Sequence, residues 1–171
     1  MLQATHFVDE RPASYPASVD FCRALTEQLQ RLYVLSLLLT ADDDKAERCF
    51  VSAMSECGEG AGVFTEWACS WARRAVIKHA IQMIRPAPDD TDISPSVSLN
   101  ALATSPGNNT FAPIVALGAF ERFVFILSIL EGQSQHDCAV LLRCSPRDVM
   151  IARALALTRL GSTKADEFMQ A

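Results

Sequence analysis

Glycine and proline are scarce, seven and eight of 171 residues, which excludes a collagen-like or low-complexity polymer. No apolar run approaches the ~20 residues that span a bilayer. The longest, 33–39 (YVLSLLL) and 123–130 (FVFILSIL), fall well short of that length. The first ten residues carry Asp9 and Glu10 and no basic apolar leader, so no signal peptide is expected. The six cysteines form no CxxC or CxxH pair, so the spacing of a common zinc site is missing. Few segments alternate with period two, which predicts no sheet. An excess of base is also lacking. Lys plus Arg is 15 against 20 for Asp plus Glu, a net charge of −5. That excludes a wholly basic nucleic-acid coat but leaves room for a local basic patch.

Half of the residues are apolar, enough to bury the core of one domain or two small ones. The cysteines lie inside apolar helical stretches, where a free thiol behaves as a small hydrophobe. A reducing, cytoplasmic setting is expected.

Residues 1–18 contain Pro12 and Pro16 and little periodicity, and read as a flexible arm. From Val19, the residues Phe21, Leu25, Leu29, Leu32, Leu35 and Leu39 recur at steps of three and four, one face of a helix. Thr40 is expected to end that helix and cap the next, with Asp42, Asp43 and Asp44 in the favourable first turn. The second helix should run to about Glu56. A glycine-rich break at 57–62 precedes a third, from about Phe64 to Arg85, stopped by Pro86. Residues 86–113 hold five prolines, three aspartates and many Ser, Thr and Asn, and read as a linker.

Helical pattern returns over 114–171. Leu117, Phe120, Phe123, Val124, Leu127 and Leu130 predict a helix closed by Gly132. Ser134 opens a short helix through Leu142, followed by the turn Arg143-Cys144-Ser145. Ser145-Pro146-Arg147-Asp148 is a helix start with a cap, a proline at the first position and an acid at the third. That last helix should run to about Leu160 and Gly161. The expected class is therefore all-α: two small helical domains, 19–85 and 114–171, joined by the Pro-rich 86–113. Charge is near balance in both helical halves, so the excess acid lies mostly in arm and linker.

The short helix, tight turn and capped helix of 134–160 have helix-turn-helix spacing. A second helix of that kind can enter a major groove with its N-terminal side chains toward base edges. A plain helical hairpin in a bundle has the same pattern.

Three stretches carry a family resemblance. Residues 32–47 (LYVLSLLLTADDDKAE) resemble the start of region 2 of bacterial RNA polymerase sigma factors of the extracytoplasmic-function type. Residues 67–79 (WACSWARRAVIKH) resemble the promoter-melting stretch of that family, and 117–160 resemble its region 4. The match covers roughly two-thirds of the chain, in the family's order. The resemblance implies a sigma region 2-like bundle, a region 4-like helix-turn-helix domain, and a role in transcription initiation without enzymatic activity or cofactor. Implied partners are RNA polymerase core, promoter DNA and an anti-sigma regulator, with no membrane.

On that resemblance, Arg143, Ser145, Arg147 and Arg153 would face duplex DNA, and Trp67, Arg73, Arg74 and Lys78 the unwound strand. Aromatics that stack bases and cations that track phosphates suit single strands. Asp44, Glu47 and Val51 would face the polymerase. Trp67 and Trp71, four residues apart on one helix face, also suit the core, Trp71 the more so. Where the family carries a basic run in the recognition helix, this chain has Met150-Ile151-Ala152, followed by Leu155 and Leu157. That apolar character supports a second expectation, a sigma-like module that binds protein, or itself, through the last helix. His136, Cys138 and Cys144 make too small a set for a tetrahedral metal shell.

Overall fold

Leucine recurrence near the start and aromatic recurrence near residue 120 build two helical groups that meet in one core. The computed structural model describes residues 17–59, 65–88 and 111–169, with side chains over 28–57, 70–88 and 111–161. Residues 1–16 of the predicted arm and most of the predicted linker lie outside the described residues, whereas residues 17 and 18, expected in the arm, open the first helix. The described regular structure is entirely helical. Helices α1 (Ala17–Thr40), α2 (Asp43–Glu59) and α3 (Thr65–Ile84) pack pairwise as the first group. The second contains α4 (Ala112–Val115), α5 (Ala119–Phe125), a π-helical turn (Ile126–Leu130), α6 (Gln135–Leu142) and α7 (Pro146–Met169). No described helix is long and apolar enough to cross a membrane.

The α1–α2 corner depends on a different cap from the one expected. Thr40 is the last residue of α1, and its hydroxyl donates to Ser36 O at 2.8 Å, within its own helix. The side chain that caps α2 is Asp42, whose Oδ1 accepts from Lys45 N–H at 2.9 Å. Ala41 takes the left-handed conformation between them, φ 55°.

One contiguous apolar cluster runs from Leu32, Leu35 and Leu39 of α1, through Cys49 and Val76, to Phe120, Phe123, Leu127 and Ala156. Phe123, Leu39 and Val76 have no exposed surface. Trp71 packs against this cluster, as the core reading of that residue expected. A smaller cluster of Leu37 and Ala46 is flanked by Tyr33 and Phe111, with Tyr33 edge-on to Phe50 at 5.6 Å. The described thiols are free. Cys49, Cys57 and Cys138 are buried and Cys144 is half-buried. Burial pushes the Cys49 thiol up to about 11. The side chains of Cys22 and Cys69 lie outside the described residues.

A buried cation joins the two groups. The Arg122 guanidinium donates from Nε and Nη2 to Leu39 O, each at 3.3 Å. Its Nη1 donates to Val115 O at 3.3 Å and Leu117 O at 2.9 Å. The Leu39 and Val115 carbonyls lie at the C-terminal ends of α1 and α4, where a helix leaves acceptors without partners and its dipole favours positive charge, and Leu117 follows just beyond α4. Burial lowers the Arg122 pKa to about 10, so it remains charged at neutral pH. Thus α5 is bonded through one side chain to backbone 83 residues earlier.

Other boundaries also differ from expectation. Pro113 lies in the first turn of α4 instead of closing a linker, since proline needs no hydrogen-bond partner there. The helix after Leu117 widens to a π turn, with Glu131 N–H bonded to Ile126 O at 2.9 Å. The extra residue per turn moves Leu130 off the core face, and it is exposed although its spacing placed it inside. Gly132 ends this segment at φ 66°, as expected of a C-terminal glycine. Gly161 does not stop α7, which continues to Met169.

Candidate nucleic-acid interface

The helix-turn-helix spacing is realised by α6 and α7, and both helix starts are closed by side chains. Ser134 Oγ accepts from Asp137 N–H at 3.1 Å and donates to Asp137 Oδ2 at 2.6 Å. Ser145 Oγ likewise accepts from Asp148 N–H at 3.2 Å, while Asp148 Oδ2 accepts from Ser145 N–H at 3.0 Å and from Ser145 Oγ at 2.7 Å. This reciprocal box leaves the Ser145 hydroxyl engaged with its own helix. The same bonds, with a smaller contribution from nearby Arg147, hold the Asp148 carboxyl below its ordinary pKa. Gln135 Nε2 donates to Pro146 O at 2.6 Å and pins the start of α6 to the first turn of α7.

Helix α7 contacts the core through a narrow stripe. Val149, Ala152 and Ala156 are buried and Leu160 is half-buried. Their spacing of three and four keeps them on one side, and the alanines let neighbouring helices approach. The rest of the described helix faces outward, including Arg147 and Arg153. Arg143, in the turn, is also exposed. None of these three arginines has an ion-pair partner among the described residues. Arg159, by contrast, is bonded to Glu121 Oε2 at 2.7 Å. Between the arginines, Met150, Ile151, Leu155 and Leu157 are exposed by 45–56%.

On α3, Arg73, Arg74 and Lys78 are exposed. Two of them have acidic partners. Arg73 Nη1 lies 3.3 Å from Glu131 Oε2 at the end of the π turn, and Lys78 Nζ lies 2.8 Å from Glu56 Oε1. Glu56 Oε2 also bonds His79 Nε2 at 2.8 Å. The bonds from Lys78 and then His79 hold the Glu56 carboxyl below its usual range. The side chain of Trp67 lies outside the described residues. Asp44, Glu47 and Val51 are all exposed, and steps of three and four align them on one face of α2.

A cleft of about 610 Å³ opens between the end of α3 and the α6–α7 turn. Lys78, Ile81, Gln82, Arg85, Pro86, Leu141, Leu142 and Arg143 line it. It thus brings together Lys78 and Arg143, predicted from separate halves, and adds Arg85. Arg85 was not among the predicted site residues, although a lone cation between a helix end and a proline was visible. Its approach to Arg143 depends on tertiary packing. Among the described residues, no three His, Cys, Asp or Glu side chains converge as a metal site needs. No family model, curated protein or solved structure matches the chain.

Proposed function

We propose that the chain is a sigma-factor-like DNA-binding protein of bacterial transcription initiation, acting in the cytoplasm. In this reading α1–α3 serve as the region 2-like domain and α4–α7 as the region 4-like domain. The observation that carries it is the outward face of α7: Arg143, Arg147 and Arg153 are exposed around the capped start of a helix held in helix-turn-helix arrangement. Arg147 stands at the second position of α7, where side chains of such helices reach base edges and the helix dipole favours phosphate. Arg74 and Lys78 would approach the unwound strand, and Asp44, Glu47 and Val51 the polymerase. An anti-sigma regulator is the further partner that this reading implies. Gel shift with duplex and single-stranded promoter fragments, together with a core-polymerase pull-down, tests it. Retention of both is expected. Loss of both at low salt would refute it.

A second reading rests on Met150, Ile151, Leu155 and Leu157, which interrupt the arginines with exposed apolar surface. A face of this kind suits a protein contact, through self-association or a regulatory partner. Ile151→Glu would then disturb assembly and leave DNA retention unchanged. On the first reading it weakens DNA retention by adding negative charge.

A further inference from the structure

The cleft between α3 and α6 has features that duplex recognition does not require. We propose that it is a binding site for a small phosphorylated ligand with a flat apolar body, of the nucleotide class. Its volume, about 610 Å³, lies within the range of ordinary small-molecule sites. The charge of its described lining has one sign. Arg85 and Arg143 enter from the ends of different helices, Lys78 adds a third cation, and among the described residues no carboxylate lines the cleft. Lys78 is partly engaged by Glu56, whereas the two arginines make no described ion pair. Like charges gathered in a concave, partly apolar site attract an anion, and a guanidinium can grip phosphate oxygens in pairs. Ile81, Pro86, Leu141 and Leu142 provide apolar surface for a base, and the Gln82 amide can both donate to and accept from its edge.

The backbone adds a second argument. Arg85 and Arg143 both terminate helices in the left-handed conformation, φ 52° and 53°. Glycine fills that position without strain. Arginine at both places puts a guanidinium on each wall of the same cleft. Arg143 also belongs to the proposed duplex-facing set. A bound nucleotide and DNA would therefore compete for it, a consequence that rests on the preceding reading, whereas nucleotide binding itself does not.

The test is calorimetric titration of the full chain, without DNA, with ATP and GTP, and with inorganic triphosphate and the two nucleosides for comparison. Arg85→Gly and Arg143→Gly are the diagnostic variants, because glycine suits both backbone positions and circular dichroism can check that the fold is kept. Saturable binding of at least one nucleotide is expected, weakened about tenfold or more by each variant and unaffected by Arg31→Glu on α1. The nucleosides and inorganic triphosphate should each bind more weakly than the nucleotide. Absence of saturable nucleotide binding, unchanged binding in both glycine variants, or inorganic triphosphate binding as tightly as the nucleotide would overturn the proposal. A failed gel shift would not affect this result.

Discussion

The basic residues of α3 and those around the start of α7 are all exposed, but two of the three on α3 are engaged by carboxylates. Arg73 is tied to Glu131 and Lys78 to Glu56. Arg143, Arg147 and Arg153 face solvent without a described ion pair. A cation already paired must give up its carboxylate to gain a phosphate, so its net contribution to DNA affinity is reduced. An unpaired one contributes the full release of counterions from DNA. On the proposed reading, duplex affinity should therefore reside mainly around the start of α7, while two of the three α3 cations are restrained, by Glu56 and by Glu131 of the other helical group.

The most severe test of that contrast exchanges charge in each set. Arg143→Glu, Arg147→Glu and Arg153→Glu together should reduce duplex affinity about 100-fold or more at low salt, since three phosphate or base contacts are reversed. Reversing Arg73, Arg74 and Lys78 together should cost duplex binding much less. Equal losses, measured by fluorescence anisotropy, would erase the difference between the regions.

The contrast also requires the two groups to remain joined. Arg122→Ala leaves the carbonyls of Leu39, Val115 and Leu117 short of a donor and opens a cavity. It should lower stability by about 3 kcal/mol or more in denaturant melts. Little change would mean that Arg122 is not the tie between α1 and α5.

A smaller effect separates the caps. Ser145→Ala should cost about 1 kcal/mol, as other lost N-caps do. It should also raise the Asp148 pKa toward its ordinary value. Because the folded value is depressed, this cap contributes above the unfolded carboxyl pKa and is lost as pH falls through the folded one. The variant's deficit should therefore shrink in acid, as melts across that range would reveal.

An effect confined to alkaline pH belongs to the buried Cys49 thiol. The Cys49 value is raised from 9.0 to about 11, so its contribution is complete below pH 9 and is lost as pH climbs toward 11. Cys49→Ala should flatten that alkaline decline. An unchanged slope would remove Cys49 as its source.

Much of this arrangement was legible in short-range pattern. The recurrence of Leu32, Leu35 and Leu39 marked α1, and Ser145-Pro146 with Asp148 marked the start of α7, because caps and periodicity act within a few residues. The errors were local competitions or distant contacts. Thr40 and Asp42 are both able to cap, and Thr40 bonded backward to Ser36. Gly161 could have ended α7, yet an exposed glycine is tolerated inside a helix at modest cost. Nothing near Arg122 announced that its partner would be Leu39, and nothing near Arg85 announced Arg143. Those pairings arise only once the helices pack.

The central claim is that α7 offers its unpaired arginines to double-stranded DNA. Its most direct test is the salt dependence of duplex binding for the intact chain and for Arg147→Glu. The affinity of the intact chain should fall steeply with salt. Removal of one phosphate contact should flatten the log–log slope by about one unit. A chain that binds no duplex at low salt, or one whose slope and affinity are untouched by Arg147→Glu, would contradict the account.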